Sequence, residues 1–176
     1  ITKLAAKLSS INTADSSTGW TVEPTAGFTL DSTTQTQGTA SVAVSGGTTV
    51  DGVNYLRLTA GAVDYSSAVQ FKFWLMIRND VGFNTLGQNT YVRFGTSSTA
   101  YWQATIAGGT FTNVTWTEVT LSISDFSAVG GITSWAAITQ ITFSLMTAGG
   151  AALWIDDIHS LSTNALPTVT RSPTIT

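Results

Sequence analysis

The sequence predicts an all-β fold, an antiparallel sandwich or barrel, and three observations carry that prediction. Apolar and polar residues alternate over many short segments, which is the period-two signature of half-buried strands. Clusters of Gly, Asn, Asp, Ser and Thr separate those segments at short intervals, as turns between strands require. Strand patterns do not alternate with long helical ones, so a parallel α/β sheet is not expected. The chain has 176 residues, enough for one domain with a substantial core.

In chain order, residues 3–11 (KLAAKLSSI) set Leu4, Leu8 and Ile11 at helical spacing. A strand, or an arm lying on a neighbour, fits them equally well. Residues 12–19 are a polar loop. Residues 20–30 are a first strand region broken by Pro24 and Gly27, which favours a sheet edge. Residues 31–38 (DSTTQTQG) form a loop. Residues 39–45 alternate, with Ala40, Val42 and Val44 inward, and residues 55–59 follow with Leu56 and Leu58 inward.

Residues 69–78 (VQFKFWLMIR) are the strongest strand. Val69, Phe71, Phe73, Leu75 and Ile77 line one face, and Gln70, Lys72, Trp74, Met76 and Arg78 the other. Residues 90–95 and 100–107 are successive strands. Residues 116–124 turn Val119, Leu121 and Ile123 inward, 125–135 form a loop, and 138–146 turn Ile141, Phe143 and Leu145 inward. Residues 151–161 (AALWIDDIHSL) are the last strand. The expected organisation is an N-terminal arm over 1–19, the β domain over 20–161, and a Thr/Pro-rich tail over 162–176. That tail has no core pattern. It either folds back along its own domain or adds as a strand to a neighbouring subunit.

The last strand poses a physical problem. Strict alternation puts Leu153, Ile155 and Asp157 on one face and Trp154, Asp156 and Ile158 on the other, so one carboxylate points into the core. An unpartnered buried carboxylate is costly. A bulge turns it out, backbone N–H groups hold it, or a bound cation pairs it.

Composition narrows the function. Charged residues make up 10% of the chain, against about 25% in ordinary soluble domains. The apolar fraction is 43%, so polarity comes mainly from Thr, Ser, Asn and Gln, a surface suited to glycans or protein neighbours. The formal net charge of −3 and seven scattered Lys and Arg argue against nucleic acid. No apolar run approaches the roughly 20 residues of a membrane span, so no membrane insertion is expected. There is no cysteine, which excludes disulfides and thiolate metal sites.

Catalysis has little support. His159 is the single histidine, no nucleophile elbow accompanies it, and Asp156 and Asp157 are adjacent strand residues that cannot flank one sugar bond together. Calcium, which takes six to eight oxygens, is a further candidate, with Asp156 or Asp157 joined by Asp31, Gln37 or carbonyls near Gly38. The alternative is a carboxylate held by backbone donors or water. The clearest binding surface sets Lys72, Trp74 and Arg78 beside Tyr91 and Arg93, then Tyr101 and Gln103, provided these strands share one sheet. Sugars stack their CH faces on such rings and hydrogen-bond to fixed polar groups. The same face otherwise serves as a second half of the core or is covered by another subunit.

Residues 20–161 resemble the jelly rolls of carbohydrate-binding modules and the galactose-binding-like superfamily. GTASVAV, VQFKFWLMI, TYVRFGTSSTAYWQATI, TWTEVTLSISDF and ITQITFSLMTAGGAALWIDDIHSL follow their strand blocks in order, ending on the Ile-Asp-Asp-Ile strand common there. The resemblance implies an antiparallel β-sandwich of jelly-roll type, and the terminal segments add extended arms to that expected fold. It also implies a structural calcium at an acid of the last strand, Asp156 or Asp157. The chain is similar as well to structural proteins of tailed bacteriophages built on this jelly roll. The low charge, the arm-like N-terminus and the Pro/Thr tail fit that setting. The first expectation is therefore a non-catalytic structural subunit of a virion or extracellular surface, in a homo-oligomer or virion lattice. The alternative is a carbohydrate-binding module, and the third is a glycan-acting hydrolase.

Overall fold

The structure is a computed structural model that describes residues 6–23, 28–45, 53–78, 90–107, 111–112, 114–146 and 152–163. Twelve strands run through these residues. They are β1 (Ala6–Asn12), β2 (Trp20–Glu23), β3 (Phe28–Asp31), β4 (Ser41–Ser45), β5 (Val53–Val63) and β6 (Ala68–Arg78). The second half holds β7 (Thr90–Gly95), β8 (Tyr101–Ile106), β9 (Thr117–Ser122), β10 (Ser127–Val129), β11 (Ile138–Met146) and β12 (Ala152–Thr163). One 3-10 turn, Ile123–Asp125, follows β9.

The strands form two sheets packed face to face, an antiparallel β-sandwich of jelly-roll type. The first runs β3-β4-β12-β6-β9, with β1 also on β12; the second runs β10-β8-β7-β11-β5-β2. On one edge of β12, β4 pairs with residues 152–155 and β1 with residues 158–163, so two short strands cover that edge end to end. Residues 6–12, within the stretch expected as an arm, thus lie on their own chain, with Ala6 opposite Thr163. Ser162 and Thr163 extend β12 beyond the expected boundary, and residues 164–176 lie outside the described residues. The expected loop 125–135 contains β10, paired with β8.

Alternation builds the core. Phe71, Phe73, Leu75 and Ile77 point inward from β6, as their spacing predicts, against Leu56, Leu58, Val92, Phe94, Ile141 and Phe143 of the other sheet. Burying each such side chain stabilises the fold by roughly 1.5–3 kcal/mol. Phe71 stacks on Phe94 with centroids 4.1 Å apart, and Tyr65 and Phe126 meet both rings edge-on. Burial pushes the Tyr65 phenol up to about 12.

A bulge resolves the carboxylate problem of β12. Asp156 stands opposite Trp74 and His159 opposite Lys72, so three steps on β12 match two on β6. The extra residue is Asp157, whose φ of 51° lies in the left-handed region that a short polar side chain tolerates better than most. Without it, strict alternation would send Asp157 inward and Ile158 outward. With it, Ile158 enters the core at 0% exposure and Asp156 and His159 take the outer face. The alternation expected from the sequence is corrected here and again at the start of β6, where a second irregularity between Leu161 and Ser162 leaves Val69, expected inward, half-buried and outside the core. Local backbone strain costs less than an unpaired buried charge.

Candidate functional site

The seven residues expected to share a platform do not share a face. β6 belongs to the first sheet and β7 and β8 to the second. Lys72 and Trp74 therefore lie on one outer surface of the sandwich, and Tyr91, Arg93, Tyr101 and Gln103 on the opposite one. The condition that these strands share one sheet fails because the chain changes sheet between β6 and β7. Arg78 ends β6 opposite Ala152, and its side chain lies outside what is described.

On the second sheet the registers assemble a cleft. Arg93 sits between Gln103 of β8 and Thr142 of β11, and Thr142 stands opposite Arg57 of β5. One step along, Tyr91 faces Ser144, which faces Tyr55. One step the other way, Gly95 lies between Tyr101 and Gln140. Thr142 and Ser144 are buried and form a low floor along β11, while the long side chains rise on either side. A cleft of about 230 Å³ results, lined by Tyr55, Arg57, Arg93, Tyr101, Gln140 and Thr142 among others. Gly95 is required there: a Cβ would meet the Ala100 and Ser97 carbonyl oxygens at 2.8 and 2.9 Å.

Arg93 organises this cleft. Its guanidinium carbon lies 4.5 Å from the Tyr101 ring centroid and 5.2 Å from that of Tyr55, so the cation spans β11 between two aromatic faces. Its Nε donates to Gln103 Oε1 at 2.8 Å, which fixes the guanidinium plane. Flat rings and oriented forked donors side by side suit a ligand with CH faces and vicinal hydroxyls. Tyr55, Arg57, Gln140 and Thr142 were not singled out from the sequence. The signal was present for two of them, because Leu56 and Leu58 pointing inward sends Tyr55 and Arg57 outward.

The acids named for calcium are each engaged by hydrogen-bond donors, around the loop 32–40. Asp31 Oδ1 accepts from the Thr33 hydroxyl and N–H and from the Thr34 N–H, and its Oδ2 accepts from Trp154 Nε1 at 2.9 Å. The Thr33 hydroxyl, helped by the Trp154 and backbone donors, outweighs burial and lowers this carboxyl to about 2. Asp156 Oδ2 accepts the Thr36 N–H at 2.6 Å, the Thr36 hydroxyl at 2.8 Å and the Gln37 N–H at 3.0 Å. Asp15 Oδ1 takes the Thr39 and Ala40 N–H groups, bonds that lower its pKa. Gly38, at φ +65°, leaves room for that carboxylate. Asp157 pairs instead with His159 Nε2 at 2.5 Å. Asp31, Asp156 and Asp157 thus face N–H and O–H groups rather than one another. No group of three His, Asp or Glu side chains able to hold a metal occurs among the described residues. Asp156 Oδ1 alone among these oxygens is buried without a partner.

Solved structures share this architecture at nearly full length. Their number includes carbohydrate-binding modules. The family 11 module from Clostridium thermocellum, solved in complex with a beta-1,3-1,4-mixed-linked tetrasaccharide, matches with a TM-score of 0.64 at 14% identity, over 92% of this chain and 98% of that one. A family 30 carbohydrate-binding module matches with a TM-score of 0.56 at 19% identity, over 85% of this chain and 79% of that one. An exo-beta-agarase carries the same fold as a part, with a TM-score of 0.62 at 10% identity, over 89% of this chain and 24% of that one. At such identities the likeness is one of fold. No protein-family model and no curated protein matches the chain.

Proposed function

We propose that the chain is a non-catalytic carbohydrate-binding module that holds a glycan on the outer face of the second sheet. The observation that carries this reading is Arg93 held between the Tyr55 and Tyr101 rings above a floor of small residues. Tyr101, Tyr91 and Tyr55 supply faces for sugar CH groups. Arg93, Gln103 and Gln140 supply hydrogen bonds to hydroxyls. The fold neighbours support the reading, since they include modules solved as carbohydrate binders. A ligand of this kind implies an extracellular surface as the setting.

The virion-subunit expectation draws on low charge and on terminal arms crossing to neighbours. β1 pairs within its own chain, residues 164–176 lie outside the described residues, and the neighbours favour the glycan reading. The test is a glycan array probed with the intact chain and with Tyr101→Ala. The intact chain is expected to give signal on a defined set of glycans, and the variant to lose about tenfold or more of it on part or all of that set. An intact, folded chain with no signal on any sugar removes the proposal.

A further inference from the structure

The outer face of the first sheet carries a second groove, of about 620 Å³, lined by Leu8, Gln37, Lys72, Trp74, Glu118, Asp157, His159 and Leu161 among others. We infer that it is a second saccharide site, with the Trp74 indole as its stacking face. This site rests on the carbohydrate-binding reading above but not on the cleft around Arg93, which lies across the sandwich.

Four observations converge on it. The Trp74 indole is half-buried on the outer face, yet among the described residues it stacks on no other ring and its N–H has no partner. Two polar pairs are already oriented beside it: Lys72 Nζ reaches Glu118 Oε1 at 3.4 Å, and His159 Nε2 reaches Asp157 Oδ1 at 2.5 Å. The β12 bulge, a strained left-handed position, is what brings Asp157 and His159 to this face. Finally, His159 Nδ1 is a buried polar atom with no partner.

The chemistry selects the ligand. Lys72 is paired with Glu118 and Asp157 is hydrogen-bonded to His159, so each charged side chain that lines the groove already has a partner within the chain. A neutral polyhydroxylated ring does fit. One CH face covers the indole, Leu8 and Leu161 border the apolar side, and hydroxyls meet carboxylates, the ammonium and the Gln37 amide. These groups are held by their internal pairs before a ligand arrives, which lowers the ordering cost of binding.

The experiment compares the intact chain, Trp74→Ala, Trp74→Phe, Tyr101→Ala and the double Trp74→Ala/Tyr101→Ala variant on one array of neutral oligosaccharides. Calorimetric titration with the strongest soluble hit of each kind follows. Each variant is first shown to keep the melting midpoint of the intact chain within a few degrees. Two sites are expected: Tyr101→Ala retains part of the signal, Trp74→Ala loses a different part by about tenfold or more, Trp74→Phe keeps most of it, and the double variant is silent. Titration with a Trp74-dependent hit then gives binding that Trp74→Ala abolishes and Tyr101→Ala leaves in place. If Tyr101→Ala alone abolishes every signal and Trp74→Ala changes nothing, the second site is overturned and the first stands. If only Trp74→Ala matters, this site stands and the cleft around Arg93 falls. A protein or charged ligand that binds in a Trp74-dependent way, with no neutral sugar doing so, also overturns the inference.

Discussion

Asp31 accepts several hydrogen bonds in the folded chain that it lacks when unfolded, and so it ties stability to pH. Its folded pKa is about 2, against an ordinary value of 3.8. A depressed carboxyl stabilises the fold fully above its unfolded pKa, and that contribution disappears as pH falls through the folded value. Asp15 shifts in the same direction, chiefly through the Thr39 N–H. Both acids hold the loop 32–40. The melting midpoint is therefore expected to stay level from about pH 8 to 5 and to fall between about pH 4 and 2. Asp31→Asn should lower stability at neutral pH and flatten part of that acid slope. An unchanged slope in Asp31→Asn, followed by circular dichroism, would show that these bonds contribute nothing.

The last strand shows what a single inserted residue does to an element. Its run of two acids between isoleucines conflicts with alternation, and a bulge is one of the ways a strand resolves such a conflict. Which residue bulges is set by the register against β6, a partner about 80 positions away in sequence. Local pattern contains no such information. Asp157→Gly and Asp157→Val both remove the carboxylate and its bond to His159. They differ in backbone freedom, since glycine accepts a φ of 51° and a β-branched residue resists it. Asp157→Val is expected to be less stable than Asp157→Gly by about 1–2 kcal/mol in urea unfolding. Equal stabilities would mean that the left-handed position is not held in solution.

For the whole molecule, alternation told which residues face outward but not which sheet each strand joins. Inward Phe71, Phe73, Leu75 and Ile77 were legible because every second residue is large and apolar. The joining of Tyr55 and Arg57 to Arg93 was not, because β11 lies between β5 and β7 and arrives from late in the chain. The same limit split the expected platform: β6 and β7 are consecutive in sequence and belong to opposite sheets. It also left residues 6–12 open among helix, strand and arm, since only β12 decides the matter. Removing residues 1–12 would leave positions 158–163 of β12 without a partner on one side. That variant is expected to melt at least about 5 °C lower and to self-associate on size exclusion, as exposed strand edges do. A monomer of unchanged midpoint would show β1 to be dispensable.

Ala6 and Thr163 stand opposite each other on adjacent strands. Across one antiparallel pair their backbones are only about 5 Å apart. The path from one to the other is therefore a nearly closed ring, entered and left through the same doorway. A unit of that shape can be grafted into a single surface turn of another polypeptide and hang there as a pendant, without prising the host's own structure open.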